Sequence, residues 1–441
     1  MIIKQKLIIQ IMKKFYKFYF SNFEFNNSTM EAVFRYNFDN QVFFEEIIDF
    51  SSKNFKIRGD FDIETLNNIL FHLHMALISY YKSCPTKELI VESGYLDEYQ
   101  INFWKKFYIN LEFLYTNKIN PKKLFNFFNC SRKKYIKKDF SVSNKALVAT
   151  KDTIVSIELL KKAIDFDLVV FKKDKLKKNT AKISNKKILS IKRKISENLL
   201  ELNEEYYNHV PITIIAFALE AASYIYDYKY IVLSNEKSAD FNIEWEVEVN
   251  HQYSKSLEFE KDFVYVKNYI SDNTKYFSLL RMYEVKIAEL FAEYKQYFNF
   301  SSCNVNFKIL NEKNHNKKDK YWCNSCPKCA FVFSILRPYL KKKEVKEIFE
   351  DLYAKKELEE TFMELLISIK PFECVEAEEV IYSMYKSLDK YKENKLPYIL
   401  EVFKKDVLNK MKDEDLKNIE KKLVRIDIIP NELKELIFKN L

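Results

Sequence analysis

Three stretches of the 441-residue chain combine residue types that could do chemistry. The first is Leu147-Val148-Ala149-Thr150-Lys151-Asp152-Thr153, an apolar run that passes through a short turn into a helical pattern. In an open parallel sheet, ligands sit outside the carboxyl ends of the strands. A helix N-terminus there offers free N–H groups and the positive end of a dipole, which suits phosphate. Lys151 could neutralise such a phosphate, and Asp152 could cap the helix or hold Mg²⁺. Spacing alone favours an ordinary strand–loop–helix with an Asx cap, because phosphate-cradling loops use glycine and this loop has none.

The second stretch carries Cys323, Cys326 and Cys329 in a Cys-x-x-Cys-x-x-Cys pattern. Three thiolates so spaced can converge on one metal ion, and tetrahedral Zn²⁺ takes a fourth ligand. Cys303 and His315 both lie upstream and either could close the site. An iron–sulfur cluster also takes four cysteines. Chance grouping of three among seven cysteines is improbable, which favours a metal over free thiols. With four protein ligands that metal is structural rather than catalytic. The third stretch is a polar island, Glu248 to Glu258, joined by Ser234-Asn235-Glu236-Lys237-Ser238. It brings carboxylates, an imidazole, ammoniums and amides that could bind a polar ligand or move protons. By composition alone, two surface loops are the weightier explanation.

These residues need elements to position them. Residues 14–140 read as one α+β unit, with a strand hairpin at Tyr19–Phe25 and Glu31–Phe38 and helices over Asp60–Ser79 and Asp97–Thr116. Residues 141–340 alternate strand and helix. The strands are Ala146–Ala149, Asp167–Phe171, Ile188–Ile191 and Tyr230–Leu233; the helices are Asp152–Ala163 and Thr213–Tyr226. This order implies parallel pairing with both faces covered, an α/β layer fold. Lys172–Asn185 reads as an exposed loop. Residues 341–441 are charged and helical in period, as at Phe362, Leu365, Leu366 and Ile369.

Composition narrows the class. With 47% hydrophobic and 16% aromatic residues the chain can bury sizeable cores, which excludes global disorder. No apolar stretch reaches the length of a membrane-spanning helix. Met1–Phe20 is basic and partly apolar but lacks a signal-peptide cleavage site, and reads as a short extension or an upstream start. An odd cysteine count with a tight cluster argues against a disulfide framework and for the reducing cytoplasm. The chain has 2 Gly, and 7 of its 73 basic residues are Arg. That is the signature of an AT-rich genome. It explains the +10 net charge better than a nucleic-acid partner does, because the Lys are spread along the whole chain.

Longer motifs carry a resemblance. They include Phe34-Arg35-Tyr36, Phe103-Trp104-Lys105-Lys106-Phe107-Tyr108, Ser234 to Ala239, Val249 to Glu260 and Tyr276 to Arg281. Ser302-Cys303-Asn304, Trp322 to Phe333 and Lys370-Pro371-Phe372-Glu373-Cys374 continue the series. In this order they resemble the UDP-N-acetyl-α-D-muramoyl-L-alanyl-L-glutamate epimerase family. The resemblance implies inversion of the terminal L-Glu of UDP-MurNAc-L-Ala-L-Glu to D-Glu for peptidoglycan biosynthesis. It implies ATP and Mg²⁺ as requirements, with AMP and pyrophosphate released from an acyl-adenylate route. The segment from Val148 to Thr153 also resembles the loop of the PP-loop ATP pyrophosphatases, so a Rossmann-like parallel sheet of that type is expected. Asp152 matches that loop, Thr153 keeps a hydroxyl, and Ala149 and Thr150 stand where glycines are usual.

On this basis Lys151, Asp152 and Thr153 are expected at the nucleotide. Glu236, His251, Lys255 and Glu258 are expected to bind substrate and transfer protons, with Cys374 as a thiol candidate. Likeness to the four-cysteine site of deazaguanine-type PP-loop synthases favours Cys303, with Cys323, Cys326 and Cys329, around structural Zn²⁺. Two alternatives compete with the epimerase. One is another PP-loop adenylating enzyme acting on tRNA or a deazapurine. The other is a degenerate, non-catalytic paralogue, for which the glycine-free loop speaks.

Overall fold

The computed structural model describes residues 17–77, 88–91, 96–116, 128–129, 137–149, 154–171, 185–197, 212–240, 243–244, 248–250, 252–294, 303, 305, 322–367, 376–391, 395–423 and 431–438. Lys151, Asp152, Thr153, His251, His315, Cys374 and residues 172–184 of the expected loop lie outside them.

The chain opens with an antiparallel meander, β1 (Lys17–Asn26), β2 (Glu31–Phe38) and β3 (Val42–Asp49). Its turns place Met30, Asp39 and Asn40 at positive φ. Asp and Asn tolerate that region because their short side chains bond locally, so they stand in for glycine here. Helix α1 (Ile63–Ala76) starts at Asp62, whose carboxylate accepts from the Thr65 N–H at 2.8 Å. Leu66, Ile69, Leu70 and Leu73 then fall on one buried face. Next come β4 (Glu88–Val91), α2 (Glu98–Thr116) and β5 (Phe128–Asn129).

The α/β half follows as β6 (Ala146–Ala149), α3 (Ile154–Lys161), β7 (Phe166–Phe171), β8 (Ile188–Ile195), α4 (Ile212–Tyr226) and β9 (Tyr230–Leu233). A small pair, β10 (Ile243–Glu244) and β11 (Glu248–Val249), leads to α5 (Leu257–Asn268), β12 (Lys275–Ser278) and α6 (Glu284–Tyr294). The remainder is helical: α7 (Pro327–Leu336), α8 (Lys342–Ile348), α9 (Glu359–Ile367), α10 (Ala377–Ser387), α11 (Tyr398–Asp406), α12 (Asp413–Leu423) and α13 (Asn431–Phe438). The fold is therefore α/β with a helical C-terminal region.

Ten strands form one mixed sheet in the order β12-β9-β6-β7-β8-β3-β2-β1-β4-β5. From β12 to β8 every pairing is parallel, and β3 joins β8 antiparallel, so the meander and the parallel strands share one sheet. Residues of β6 and β9 are buried throughout, as strands covered on both faces must be. Leu147, Ala149, Ile231 and Leu233 face a core with α1, α2, α4 and α5. Ala146, Val148, Tyr230 and Val232 face the opposite core, with α3, α6 and the C-terminal helices.

Candidate functional site

The parallel strands run 12-9-6-7-8 across the sheet, so the chain winds outward in both directions from the β6–β9 pair. Such a reversal of strand order opens a crevice at the carboxyl ends, where ligands of open α/β sheets bind. A small pocket lies there, lined by Ala149, Ile212, Ile215, Leu233, Ser234, Asn235, Glu236 and Lys255. It is a small, partly open pocket with room for about one water. Ala149 and Leu233 are the last residues of β6 and β9, and Ile212 is the first of α4. The apolar floor and polar lip thus follow from where strands end and helices begin.

At the lip, the Lys255 ammonium is 3.4 Å from the Glu236 carboxylate, and both side chains are mostly buried. Lys255 ends a short 3₁₀ turn, Tyr253–Lys255, immediately before Ser256 caps α5 by accepting from the Phe259 N–H at 3.1 Å. Asn235 donates to the Ser278 hydroxyl at 3.1 Å, tying β9's exit to the end of β12. The Ser234 and Ser156 hydroxyls are 2.8 Å apart, tying the same loop to α3.

Behind this loop stands an arginine that motif reading quoted without giving it a role. Arg281 is 1% exposed; it donates to the Glu260 carboxylate at 3.0 Å, to Asp240 at 3.3 Å and to the Glu236 carbonyl at 3.4 Å. Glu260 also accepts from the Ser278 N–H at 3.1 Å. Burial raises the Glu260 carboxyl above its ordinary value, and the Arg281 charge pulls it back. The Tyr276 hydroxyl is driven up by burial and by Glu260. The usable signal was the rarity of arginine in so lysine-rich a chain.

The predicted residues fall into three groups. Glu236 and Lys255 come together at the pocket. Glu258 does not line it; its carboxylate pairs with Lys106, which also reaches Asp262 at 3.0 Å. Lys151, Asp152, Thr153, His251 and Cys374 lie outside the described residues. The four cysteines do converge: the sulfurs of Cys303, Cys323, Cys326 and Cys329 all lie within 4.8 Å of one another. Asn324, at φ 58°, turns the chain between the first two of the triplet, and Pro327 starts α7 directly after Cys326.

Among the described residues no helix is long and apolar enough to cross a membrane. Comparison with known families matches the MurL N-terminal domain over residues 10–279 and the MurL C-terminal domain over residues 299–418. A UDP-N-acetyl-alpha-D-muramoyl-L-alanyl-L-glutamate epimerase of Xanthomonas oryzae pv. oryzae (strain MAFF 311018) is 32% identical over 323 residues, covering 69% of this chain and 70% of that protein. A protein of the same description from Micromonospora sp. (strain ATCC 39149 / NRRL 15099 / SCC 1413) is 31% identical over 393 residues, covering 83% of this chain and 86% of its own. One from Salinispora tropica is 32% identical over 250 residues, 53% of each chain. No solved structure matches the chain.

Proposed function

The chain belongs to the MurL family, and from that membership and the pocket at the strand-order reversal we propose that it epimerises the terminal glutamate of UDP-MurNAc-L-Ala-L-Glu for peptidoglycan synthesis. The observation that carries this reading is the Glu236–Lys255 pair at the mouth of that pocket.

The proposed chemistry follows from acidity. The α-hydrogen beside an ionised carboxylate is very weakly acidic, because its loss builds a second negative charge next to the first. In our reading a glutamate carboxylate oxygen attacks the α-phosphorus of ATP, and pyrophosphate leaves. The acyl-adenylate has lost the carboxylate charge and provides an electron sink. A base takes the α-proton, an acid returns one on the opposite face, and water then cleaves the acyl–phosphate bond to release AMP. Magnesium enters as the counter-ion of the nucleotide, so it is treated as part of that substrate. The pocket itself is too small for a nucleotide, so in this reading ATP lies outside it, beyond the carboxyl ends of the strands, and the pocket marks only the lip at Glu236 and Lys255. Lys151, Asp152 and Thr153, which follow β6 in the chain, are assigned to the phosphates and their magnesium. The alternative substrates, tRNA or a deazapurine, gain no observation here.

Groups only 3.4 Å apart cannot address opposite faces of one carbon. We therefore assign Glu236, paired with Lys255, to one face, and the second face to His251 or Cys374. Glu258 is left out of the proton transfers in this reading, because it pairs with Lys106 and does not line the pocket. The test is direct. Purified chain, ATP, Mg²⁺ and UDP-MurNAc-L-Ala-L-Glu are incubated in deuterated water. AMP is followed by chromatography, and glutamate configuration and α-deuterium are read after acid hydrolysis. AMP with deuterated D-Glu is expected. L-Glu alone, with no AMP, from folded protein refutes the proposal.

A further inference from the structure

We infer that Cys303, Cys323, Cys326 and Cys329 form a mononuclear, closed tetrathiolate zinc centre that fastens the segment after α6 to the N-terminus of α7. It stands apart from the proposed epimerisation and does not rest on it. The sulfur separations are 3.5 Å for Cys326–Cys329, 3.6 Å for Cys323–Cys329 and 4.0 Å for Cys303–Cys326. Four thiolates about 2.3 Å from one tetrahedral ion stand about 3.8 Å from each other. A disulfide would need about 2.05 Å. Iron–sulfur clusters share four cysteines among two or more irons, which spreads the sulfurs farther apart than one ion does. The geometry therefore matches a single tetrahedral ion, and an all-sulfur tetrahedral set selects zinc among common divalent ions.

The surroundings suit the doubly negative centre that four thiolates and Zn²⁺ make. The Cys326 sulfur accepts from the Cys329 backbone N–H, at the start of a ten-residue helix. The Ser325 hydroxyl donates to the Cys323 sulfur at 3.4 Å. The Lys355 ammonium, donating to the Asn324 carbonyl at 3.1 Å, brings a positive charge beside the loop. The Cys303 and Cys329 side chains are fully buried in the core that also holds Trp322, whose ring packs 4.7 Å from that of Phe349. With four protein ligands the ion has no open position for water, so its role is structural. Helix α6 sits between the metal segment and the 279–283 loop, from which Arg281 and the Met282 carbonyl hold Glu236 and Lys237.

The full chain, expressed in zinc-supplemented medium and purified without chelator, should carry one zinc by elemental mass spectrometry. Replacement by Co²⁺ should give the visible bands and near-ultraviolet thiolate charge transfer of a tetrahedral tetrathiolate. Ser325→Ala, which keeps all four ligands and an exposed surface position, should weaken metal affinity by roughly 10–100-fold through its lost hydrogen bond. Cys326→Ser should lose the metal and lower the melting temperature; should it fail to fold, the wild-type metal content and cobalt spectrum still decide. Folded wild-type chain without zinc, iron in its place, or a disulfide among these cysteines by mass would overturn the inference.

Discussion

Replacing Arg281 by Met tests the support behind the pocket loop. The guanidinium and the Glu260 carboxylate are 1% and 7% exposed and 3.0 Å apart. Removing one partner of such a buried pair leaves the other charge uncompensated, at a cost of about 3–5 kcal/mol. That is a large share of the roughly 5–15 kcal/mol that holds a typical domain folded. Glu260, already raised by burial, loses the positive charge that offset it and rises further. Between its unfolded value and this higher folded value, the native state keeps a proton that the unfolded state has released. Stability of Arg281→Met therefore falls as pH rises through that window, by up to about 1.4 kcal/mol per unit. Urea unfolding followed by tryptophan fluorescence should show a larger deficit at pH 8 than at pH 5. The double variant Arg281→Met/Glu260→Gln should regain most of the loss, since no buried charge remains. A deficit below about 1 kcal/mol, or one that is the same at both pH values, would refute the assignment of a desolvated, mutually dependent pair. The same variant should impair turnover, because the Glu236 carbonyl and Asp240 lose their shared donor.

Glu236→Gln should lower kcat for D-Glu formation by about 10²–10⁴-fold; turnover close to wild type would remove Glu236 from the proton transfers. Glu258→Gln breaks a half-exposed pair with Lys106, worth about 0–1 kcal/mol, and should leave turnover within about threefold of wild type. Buried His72 and His74 are pushed down to about 3 by desolvation. Below the ordinary histidine range the unfolded state takes up protons that the native state refuses, so stability is full above about pH 6.5 and is lost as pH falls toward the folded value. Nuclear magnetic resonance of the folded chain should find neither ring titrating between pH 5 and 8. For His72 there is a second reason: its Nδ1 accepts from the Trp104 indole at 3.2 Å and cannot also carry a proton.

Strands β6 and β9 were legible because strands buried on both faces read as short uninterrupted apolar runs, and α4 because it is apolar on every side. Strand β3 was not. Its sequence VFFEEIID puts Glu46 at a core position and leaves Phe43 62% exposed, which breaks the alternation that marks a half-buried strand. Glu46 is tolerated inside only because Arg193 donates to it at 2.7 Å and the Tyr36 hydroxyl bonds it too, partners 147 and 10 residues away. The polar island was visible as composition. That it splits into Glu236 and Lys255 at the pocket and Glu258 on Lys106 depends on which way a turn and a helix face. Arginine is the clearest lesson. Arg58, Arg193, Arg281 and Arg337 all have buried guanidiniums or nearly so, each fixed by several bonds. Lysine, a single flexible point charge, cannot replace that fork, so four of the five described arginines stand where the interior demands one, Arg35 being the half-exposed exception.

The β3–β8 seam also sets the order of folding. Each side can assemble from contacts near in sequence: the meander on one, β6 to β8 on the other. Joining Asp49 to Lys192 closes a loop of 143 residues, an entropic cost of about 4 kcal/mol before the first seam bond forms. The seam is thus a late step, and pulse-labelled hydrogen exchange should find β8 amides protected after those of β1 and β2. Until then β3 and β8 are bare edges, open to pairing with other chains. Strand β8 meets that hazard with Lys192, Arg193 and Lys194 in succession, charges that repel a second copy of the same edge. Once Asp49, Glu46 and Glu31 arrive, the same three cations fix the register, so the guard against aggregation becomes the lock on the finished sheet.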